Sequence, residues 1–460
     1  MAYDDGVDTI ITCDNGISAI DQIQYAKDLG LTVIVTDHHD VPFIEEDGVR
    51  TFLSSQADAI INPKQIECEY KFKSICGAGV AFKLMEALYE EIGMDKEECY
   101  KLIEFVAIAT VCDVVDLIDE NRIFVKNGLE MLNNSKNIGI NALKKACGLE
   151  DKKITVYHLG FVIGPCLNAS GRLDSAKKGL ELLLMEDDEE AKKLAQEIVD
   201  LNDARKNMTK EGVDRAINII DSTDINNDKI LVVYIPDIHE SLAGIVAGRV
   251  KEKYNKPTII LTKSEEGVKG SARSIEEYNM FEGLLACKEL LDKFGGHPMA
   301  VGLSLQEDKV DELRKALNNK CELTDEDLTR KIMIDSSLPL EYLNLHLIEE
   351  LNVLEPFGKG NSKPVFGVRD AKITKAMLLG KDKNVLKLKL LTNNNITIDA
   401  MIFNDLENFE SKIIEKYGNE GLDNLYNKSN NNIPMDFTFY PSINEWNGNK
   451  SIQIVVNGIR

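Results

Sequence analysis

Two acidic strand ends carry the strongest chemical signal in this sequence, Cys13-Asp14-Asn15-Gly16 and Thr36-Asp37-His38-His39. A carboxylate can bridge two divalent cations and an imidazole adds a nitrogen ligand. A mixed Asp/His set therefore suits manganese, with magnesium as the second choice, and disfavours calcium. Two such cations about 4 Å apart would activate a water and clamp a phosphoryl oxygen. A third candidate is Asp113, in Ala109-Thr110-Val111-Cys112-Asp113-Val114-Val115. It follows an apolar stretch that must be buried, and a buried carboxylate needs a partner that a metal can supply. Taken singly, each acid has a plainer use as a helix or turn cap, and His-His pairs occur by chance. Taken together, the three point to a metal site. Cys13 and Cys112 beside them read as small core residues.

The elements that must position these groups follow from local patterning. Residues 7–13 read as a strand, 18–29 as an amphipathic helix stopped by Gly30, and the β-branched run 32–36 as the next strand. This minimal βαβ unit implies a parallel sheet. Both acidic ends then lie at its carboxyl edge, where ligands bind in open α/β sheets. Such a sheet rarely starts so abruptly, so upstream strands are expected to be missing from this sequence. Residues 78–148 read as mostly helical. Residues 189–220 read as one long charged helix, with apolar stripes at Ala191, Leu194, Ala195 and Ile198 and at Val213, Ala216, Ile217 and Ile220. The polar stretch 205–212 between the stripes suggests a solvated helix crossing between two domains.

A second α/β segment follows: strand 230–235, helix 242–254, strand 258–261, and Gly-rich loops around Gly270 and Gly295-Gly296. Beyond residue 324 five strands (365–379, 385–391, 396–403, 435–440, 451–456) suggest a small barrel or sandwich. There Lys387 and Lys389 alternate with Leu386, Leu388 and Leu390, which fits either a solvated outer face or a groove that tracks a nucleic-acid backbone.

With 460 residues, 43% of them hydrophobic, the chain can bury several cores, about three domains' worth. A net charge of −23 argues against generic attraction to nucleic acid or an anionic membrane. A polyanion must be received locally, by metal ions or clustered basic side chains. Nine cysteines without a C-x-x-C pair suggest a reduced, cytoplasmic protein and no zinc ribbon. No apolar run approaches the roughly 20 residues that span a bilayer, so a soluble protein without a membrane partner is expected. Gly270-Ser271-Ala272-Arg273-Ser274 joins a flexible backbone, hydroxyls and a guanidinium, the chemistry of a phosphate cradle. Phe294-Gly295-Gly296-His297 offers a second close approach with a donor side chain, or a packed turn with a satisfied histidine. Arg172 could reach a phosphate or pair carboxyls at a hinge.

Asp37-His38-His39 after a strand, preceded by Cys13-Asp14-Asn15-Gly16, resembles the signature of the DHH phosphoesterase superfamily. Further segments resemble its RecJ branch of single-strand-specific exonucleases. These are Gly77-Ala78-Gly79-Val80-Ala81-Phe82-Lys83, the run 109–117, Gly164-Pro165-Cys166-Leu167-Asn168-Ala169-Ser170-Gly171-Arg172-Leu173, Gly270-Ser271-Ala272-Arg273-Ser274, the run 294–303, and Glu355-Pro356-Phe357-Gly358-Lys359-Gly360-Asn361. Their order matches the family over almost the whole chain.

The resemblance implies an α/β fold in four parts: a parallel-sheet DHH domain (1–175), a connecting helix (176–222), an α/β DHH-associated substrate-binding domain (223–323) and a C-terminal β-barrel, an OB-fold that binds nucleic acid (324–460). It implies Asp14 as a bridging metal ligand, His38 and Asp113 as metal ligands, and His39 as a contact to the scissile phosphate. Ser271 and Arg273 would hold a terminal 5′ phosphate, with His297, Arg172 and Asn168 as further nucleic-acid contacts. Mn2+ (or Mg2+) would be the cofactor, two ions in the complete protein. The partner would be single-stranded DNA, alongside a single-strand-binding protein and a helicase. The implied activity is 5′→3′ hydrolysis of single-stranded DNA to mononucleotides in DNA repair and recombination.

One departure stands out. The family's Asp-x-Asp strand end upstream of Asp14 is absent, and Tyr3-Asp4-Asp5-Gly6 precedes the strand that carries Asp14, at the wrong edge of the sheet. One metal would lose its main ligands, so catalysis by this exact chain is expected to be impaired. The alternatives are a DHH phosphodiesterase of short oligonucleotides or cyclic dinucleotides, whose members generally end before a segment like 324–460, and a catalytically inert nucleic-acid-binding remnant.

Overall fold

The computed structural model describes residues 2–46, 49–173, 175–265, 267–380, 383–403, 406–446 and 448–460. The chain divides into two compact units, residues 1–132 with 332–460, and residues 133–331.

In the first unit, β1 (Thr9–Cys13), α1 (Ile20–Asp28) and β2 (Thr32–Thr36) form the expected βαβ unit. β3 (Phe43–Glu46) and β4 (Val49–Phe52) make a separate hairpin, and β5 (Ala59–Ile61) joins the parallel sheet in the order β1-β2-β5. β1 and β2 pair in parallel with Cys13 opposite Thr36, so both acidic strand ends leave the same edge. Ile23 of α1 buries against Val33 and Val35, which holds the helix on the sheet. The helices α2 (Gly77–Glu91), α3 (Lys96–Tyr100), α4 (Ile103–Cys112) and α5 (Asp119–Asn133) follow. α4 is apolar on most of its faces, with Val106, Ala107, Ile108 and Val111 buried together with Glu104 and Thr110, as a run this apolar demands.

The second unit opens with α6 (Ile138–Ala146), α7 (Val156–His158), a π-helical turn (Leu159–Ile163), α8 (Gly164–Leu173) and α9 (Lys177–Leu183). The long helix α10 spans Asp188–Ser222, as expected for 189–220, and the connecting segment 176–222 also holds α9. Asp187 caps α10 by accepting from the Glu190 amide, and Asp188, Glu189 and Glu190 occupy its first turn, where the helix dipole favours negative charge. The polar stretch 205–212 is largely exposed, as expected, with Thr209 and Gly212 buried within it and Asn202 buried just before it.

β6 (Leu231–Tyr234), α11 (Ala243–Tyr254), β7 (Thr258–Ser264), β8 (Gly267–Arg273), α12 (Met280–Leu285), β9 (Lys293–His297), β10 (Ala300–Leu305) and α13 (Val310–Asn319) complete the unit, with sheet order β6-β7-β8-β10-β9. The expected Gly-rich loops are instead strands. β8 pairs with both β7 and β10, and β9 pairs with β10. Long-range pairing overrides the weak strand propensity of glycine, which in strands marks close backbone approach.

The remainder of the first unit is β11 (Ser336–Ser337), α14 (Leu345–Asn352), β12 (Phe366–Leu379), β13 (Val385–Leu391), β14 (Thr397–Ile402), α15 (Leu406–Asn427), β15 (Ile433–Trp446) and β16 (Asn449–Ile459). The order β12-β13-β14-β16-β15, closed by β12 on β15 and with β14 parallel to β16, is a five-stranded barrel of OB type. Leu386, Leu388 and Leu390 point into its core. Lys387 and Lys389, on the other face of β13, both pair with Asp399 of β14, the former at 2.6 Å, which favours the outer-face reading. No helix of the described residues is long and apolar enough to cross a membrane.

Candidate metal centre

At the carboxyl edge of the parallel sheet the backbone turns sharply. Asp14 has φ 63, a left-handed conformation that Asp tolerates better than most residues, and its amide donates to the Thr36 carbonyl at 3.0 Å. This turn brings Asp14 Oδ1 to 3.0 Å from His38 Nε2. Asp113, the C-cap residue of α4, brings Oδ2 to 3.4 Å from the same nitrogen. The His38 ring is only 11% exposed, and Nε2 is buried with no hydrogen-bond partner among the described residues.

The fit to a cation follows. Ligand atoms about 2.1 Å from one octahedral cation, about a right angle apart, lie about 3 Å from each other. Each carboxylate oxygen stands at about that spacing from His38 Nε2, and Asp/His donors suit manganese or magnesium. One ligand atom each from Asp14, His38 and His39 lie within 4.8 Å of one another, so His39 can also reach the cluster. Burial, with a contribution from the Asp14 charge, pushes the Asp113 carboxyl above its ordinary pKa, partly countered by His38 and Lys359. The Asp113 side chain is 40% exposed, so the carboxylate is only partly buried, whereas the apolar stretch before it is buried.

Asp37 is the residue that sequence reasoning passed over. It is 1% exposed and accepts from the Ile17 amide at 2.9 Å, the His38 amide at 2.7 Å, the His39 amide at 3.2 Å and His39 Nδ1 at 2.7 Å. Burial alone would raise its pKa, but these donors outweigh it and hold the carboxyl below its ordinary value. Asp37 therefore orients the His39 ring and ties down the backbone of both histidines. The His39 ring, 56% exposed, borders a groove of about 390 Å³ lined by Asn15, Gly16, Ser18, Gln22 and Asp37. Gly77, at the start of α2, is the second omission of function. A Cβ there would fall 2.3 Å from Asp14 Oδ1, so only a bare backbone lets the helix meet this carboxylate. The signal available in sequence was the Gly-x-Gly that opens α2.

In the second unit the strand register sets Ser271, Gly302 and Gly295 in one row and Arg273, Ala300 and His297 in the next, so Ser271, Arg273 and His297 share a sheet face. Arg273 Nη1 donates to Ser271 Oγ at 2.9 Å, and Gly244, in the first turn of α11, lies against both side chains. The helix start adds backbone donors and a positive dipole end to the guanidinium. Arg172, exposed on α8, donates to the Ser241 carbonyl at 2.9 Å, and Asn168 lies one turn earlier on the same helix, also exposed. Burial, then the charge of Arg172, pulls the pKa of Arg273 below its ordinary value. Arg205, held by Asn202 Oδ1 at 2.9 Å, is lowered by burial and by Arg172 and Arg249. Arg172 thus adds positive charge beside both Arg205 and Arg273. Arg205 and Gly244 went unread because nothing in sequence brings α10, α11 and β8 together.

The profile of the N-terminal domain of the DHH family matches residues 3–110, that of the DHHA1 domain residues 227–323, and that of the RecJ OB domain residues 334–458. The single-stranded-DNA-specific exonuclease RecJ of Haemophilus influenzae is 33% identical over 485 aligned positions, covering 100% of this chain and 78% of that protein. The chain belongs to the RecJ family. The Bacillus subtilis RecJ is 36% identical over 98% of this chain and 54% of its own length. The crystal structure of RecJ from Thermus thermophilus in complex with Mn2+ superposes with a TM-score of 0.78 at 25% identity, over 98% of this chain and 62% of that one. The same protein with Mg2+ gives 0.75. The chain thus spans little more than half of the Bacillus relative. The DHH, DHHA1 and OB parts expected from sequence are all present, and the relatives' structures hold Mn2+ or Mg2+, the cations that this donor set suits.

Proposed function

We propose that this chain is the core of a metal-dependent exonuclease that hydrolyses single-stranded DNA from its 5′ end. The observation that carries the proposal is the convergence of Asp14 and Asp113 on the orphaned Nε2 of His38. Asp14, His38 and Asp113 would hold Mn2+ or Mg2+, which when bound supplies an activated water and charge neutralisation at the phosphoryl group. His39, its Nδ1 held by Asp37, presents the rest of its ring to the groove and donates to the scissile phosphate. This role needs no movement of the ring when charge develops on the phosphoryl oxygens. On the second unit, Ser271, Arg273 and the start of α11 receive the terminal 5′ phosphate, with Arg172, Asn168 and His297 beside the following backbone. The OB barrel holds nucleotides further along.

We assign residues 1–175 to catalysis, 176–222 to connection, 223–323 to substrate binding and 324–460 to strand holding. A single-strand-binding protein and a helicase are the partners that DNA repair and recombination would require, in the cytoplasm. Release of mononucleotides from a 5′-labelled single strand in Mn2+, abolished by His39→Ala and by Asp14→Ala, tests the proposal. An active chain on long strands with both variants unimpaired refutes it, and a fully inert parent chain supports the remnant reading instead.

A further inference from the structure

The segment Glu355-Pro356-Phe357-Gly358-Lys359-Gly360-Asn361 lies outside the barrel strands and has no part in the reading above. Its contacts lead back to the metal cluster. The Lys359 carbonyl accepts from the Leu117 amide at 2.7 Å, and Lys359 Nζ stands 3.7 Å from Asp116 Oδ1. Gly360 has φ +72, and a Cβ on it would fall 2.7 Å from Asp116 Cβ. From the other side, Arg122 Nη2 lies 3.2, 3.3 and 2.9 Å from the carbonyls of Val353, Leu354 and Glu355. Asn361 Nδ2 closes the segment on itself through the Leu354 and Pro356 carbonyls, both at 2.9 Å. The two stretches interlock largely through backbone.

The turn they hold is strained. Asp113 ends α4, and Val114 immediately after it has φ 57, a region that a β-branched residue occupies only when its surroundings over-determine it. Asp119, opening α5, also has a positive φ of 42. Inside the loop Leu117 is buried, and Asn121 Nδ2 donates to the Asp116 carbonyl at 2.9 Å. The Val114 amide donates to the Val111 carbonyl at 3.3 Å, and residues 353–361 add the contacts given above.

We propose that residues 353–361 are a positioning element of the metal centre, fixing the turn after α4 and so setting the Asp113 carboxylate against His38 Nε2. The proposal rests on the reading of Asp14, His38 and Asp113 as ligands. The C-terminal part of the chain is then a support of the ligand shell as well as a holder of DNA. Gly360 and Arg122 touch no ligand atom and act through the turn, as outer partners of metal sites do.

Titration calorimetry with Mn2+ on the full chain tests it, using Gly360→Ala, Arg122→Ala, Arg122→Lys and Asp113→Ala. Gly360→Ala and Arg122→Ala should each weaken Mn2+ binding by roughly 10-fold or more, the usual effect of removing an outer partner. Arg122→Lys, still a donor to the carbonyls, should recover most of the loss. Melting temperature and affinity for a long 5′-hydroxyl strand, both measured without metal, should stay at the parent values. If Gly360→Ala does not fold, the Arg122 pair carries the test. Parent-level Mn2+ affinity in Arg122→Ala overturns the proposal, as does a loss that Arg122→Lys does not reduce. Parent-level affinity in Asp113→Ala overturns the ligand reading beneath it.

Discussion

Replacing Gly77 with alanine should damage the metal centre without replacing any ligand. The added Cβ would lie 2.3 Å from Asp14 Oδ1, 2.5 Å from its Cβ and 2.6 Å from its Cγ. Non-bonded carbons rest at about 3.5 Å or more, so the Asp14 side chain must retreat by about 1 Å. Asp14 cannot simply rotate away with its backbone, which is already left-handed and tied to Thr36. A 1 Å retreat takes Oδ1 from 3.0 Å to about 4 Å from His38 Nε2, beyond the roughly 3 Å spacing of neighbouring ligands on one small cation. Overpacking of this kind costs about 1 to 3 kcal/mol, which corresponds to Mn2+ affinity about 5-fold to 150-fold weaker. Calorimetric titration with Mn2+ reads the change. Gly248→Ala is the matched control, since none of the described residues lies within 4 Å of a Cβ there. Parent-level Mn2+ affinity in a folded Gly77→Ala protein would refute the reasoning that Asp14 is a ligand held by this close approach.

Three further outcomes follow from the geometry. Arg273→Ala should weaken binding of 5′-phosphorylated strands by about 1 to 3 kcal/mol more than of 5′-hydroxyl strands; equal losses in fluorescence anisotropy would mean the phosphate pocket is elsewhere. Asp37→Asn replaces an acceptor of four hydrogen bonds with a group that must turn a donor toward one of its donors. It should cost about 1 to 3 kcal/mol in urea melts, and a parent-like denaturation midpoint would sink the orienting role given to it. Burial would raise the pKa of Asp399, but Lys387 and Lys389 hold it below 3.8. Its stabilisation is therefore complete above pH 3.8 and lost as pH falls through the depressed folded value. Asp399→Asn should lower stability by about 1 to 2 kcal/mol at neutral pH, with the gap to the parent closing in acid. A gap that persists in acid would show that the ion pairs contribute nothing.

Much of the architecture was legible because period and punctuation agree with the final packing. The run Thr32–Thr36 is β-branched and forms β2 with those bounds, and Val385–Leu391 alternates and forms β13. The strand-end placement of Asp14 and His38 was equally legible, because a βαβ unit sends successive parallel strands to one edge. The glycines of β8 and β9 misled, since propensity describes an isolated segment and these strands exist only because neighbours pair with them. The polar stretch 205–212 of α10 was legible as solvated, but Asn202 just before it is polar yet buried, donating to Cys166 Sγ at 3.2 Å.

By itself, then, the sequence determined the parallel sheet, the long helix, the barrel strands and the residue types of a cation site. Each of these is written in local periodicity or in the order of a short unit. Only the tertiary structure decided that Asp37 is the buried acceptor holding the His39 ring, that Gly77 makes room for Asp14, and that Gly244 lies against Arg273. It alone decided that the turn after Asp113 is held by Lys359 and Arg122. These contacts join groups far apart in the chain, and nothing in local propensity or spacing encodes a distance between segments that meet only when the chain has folded.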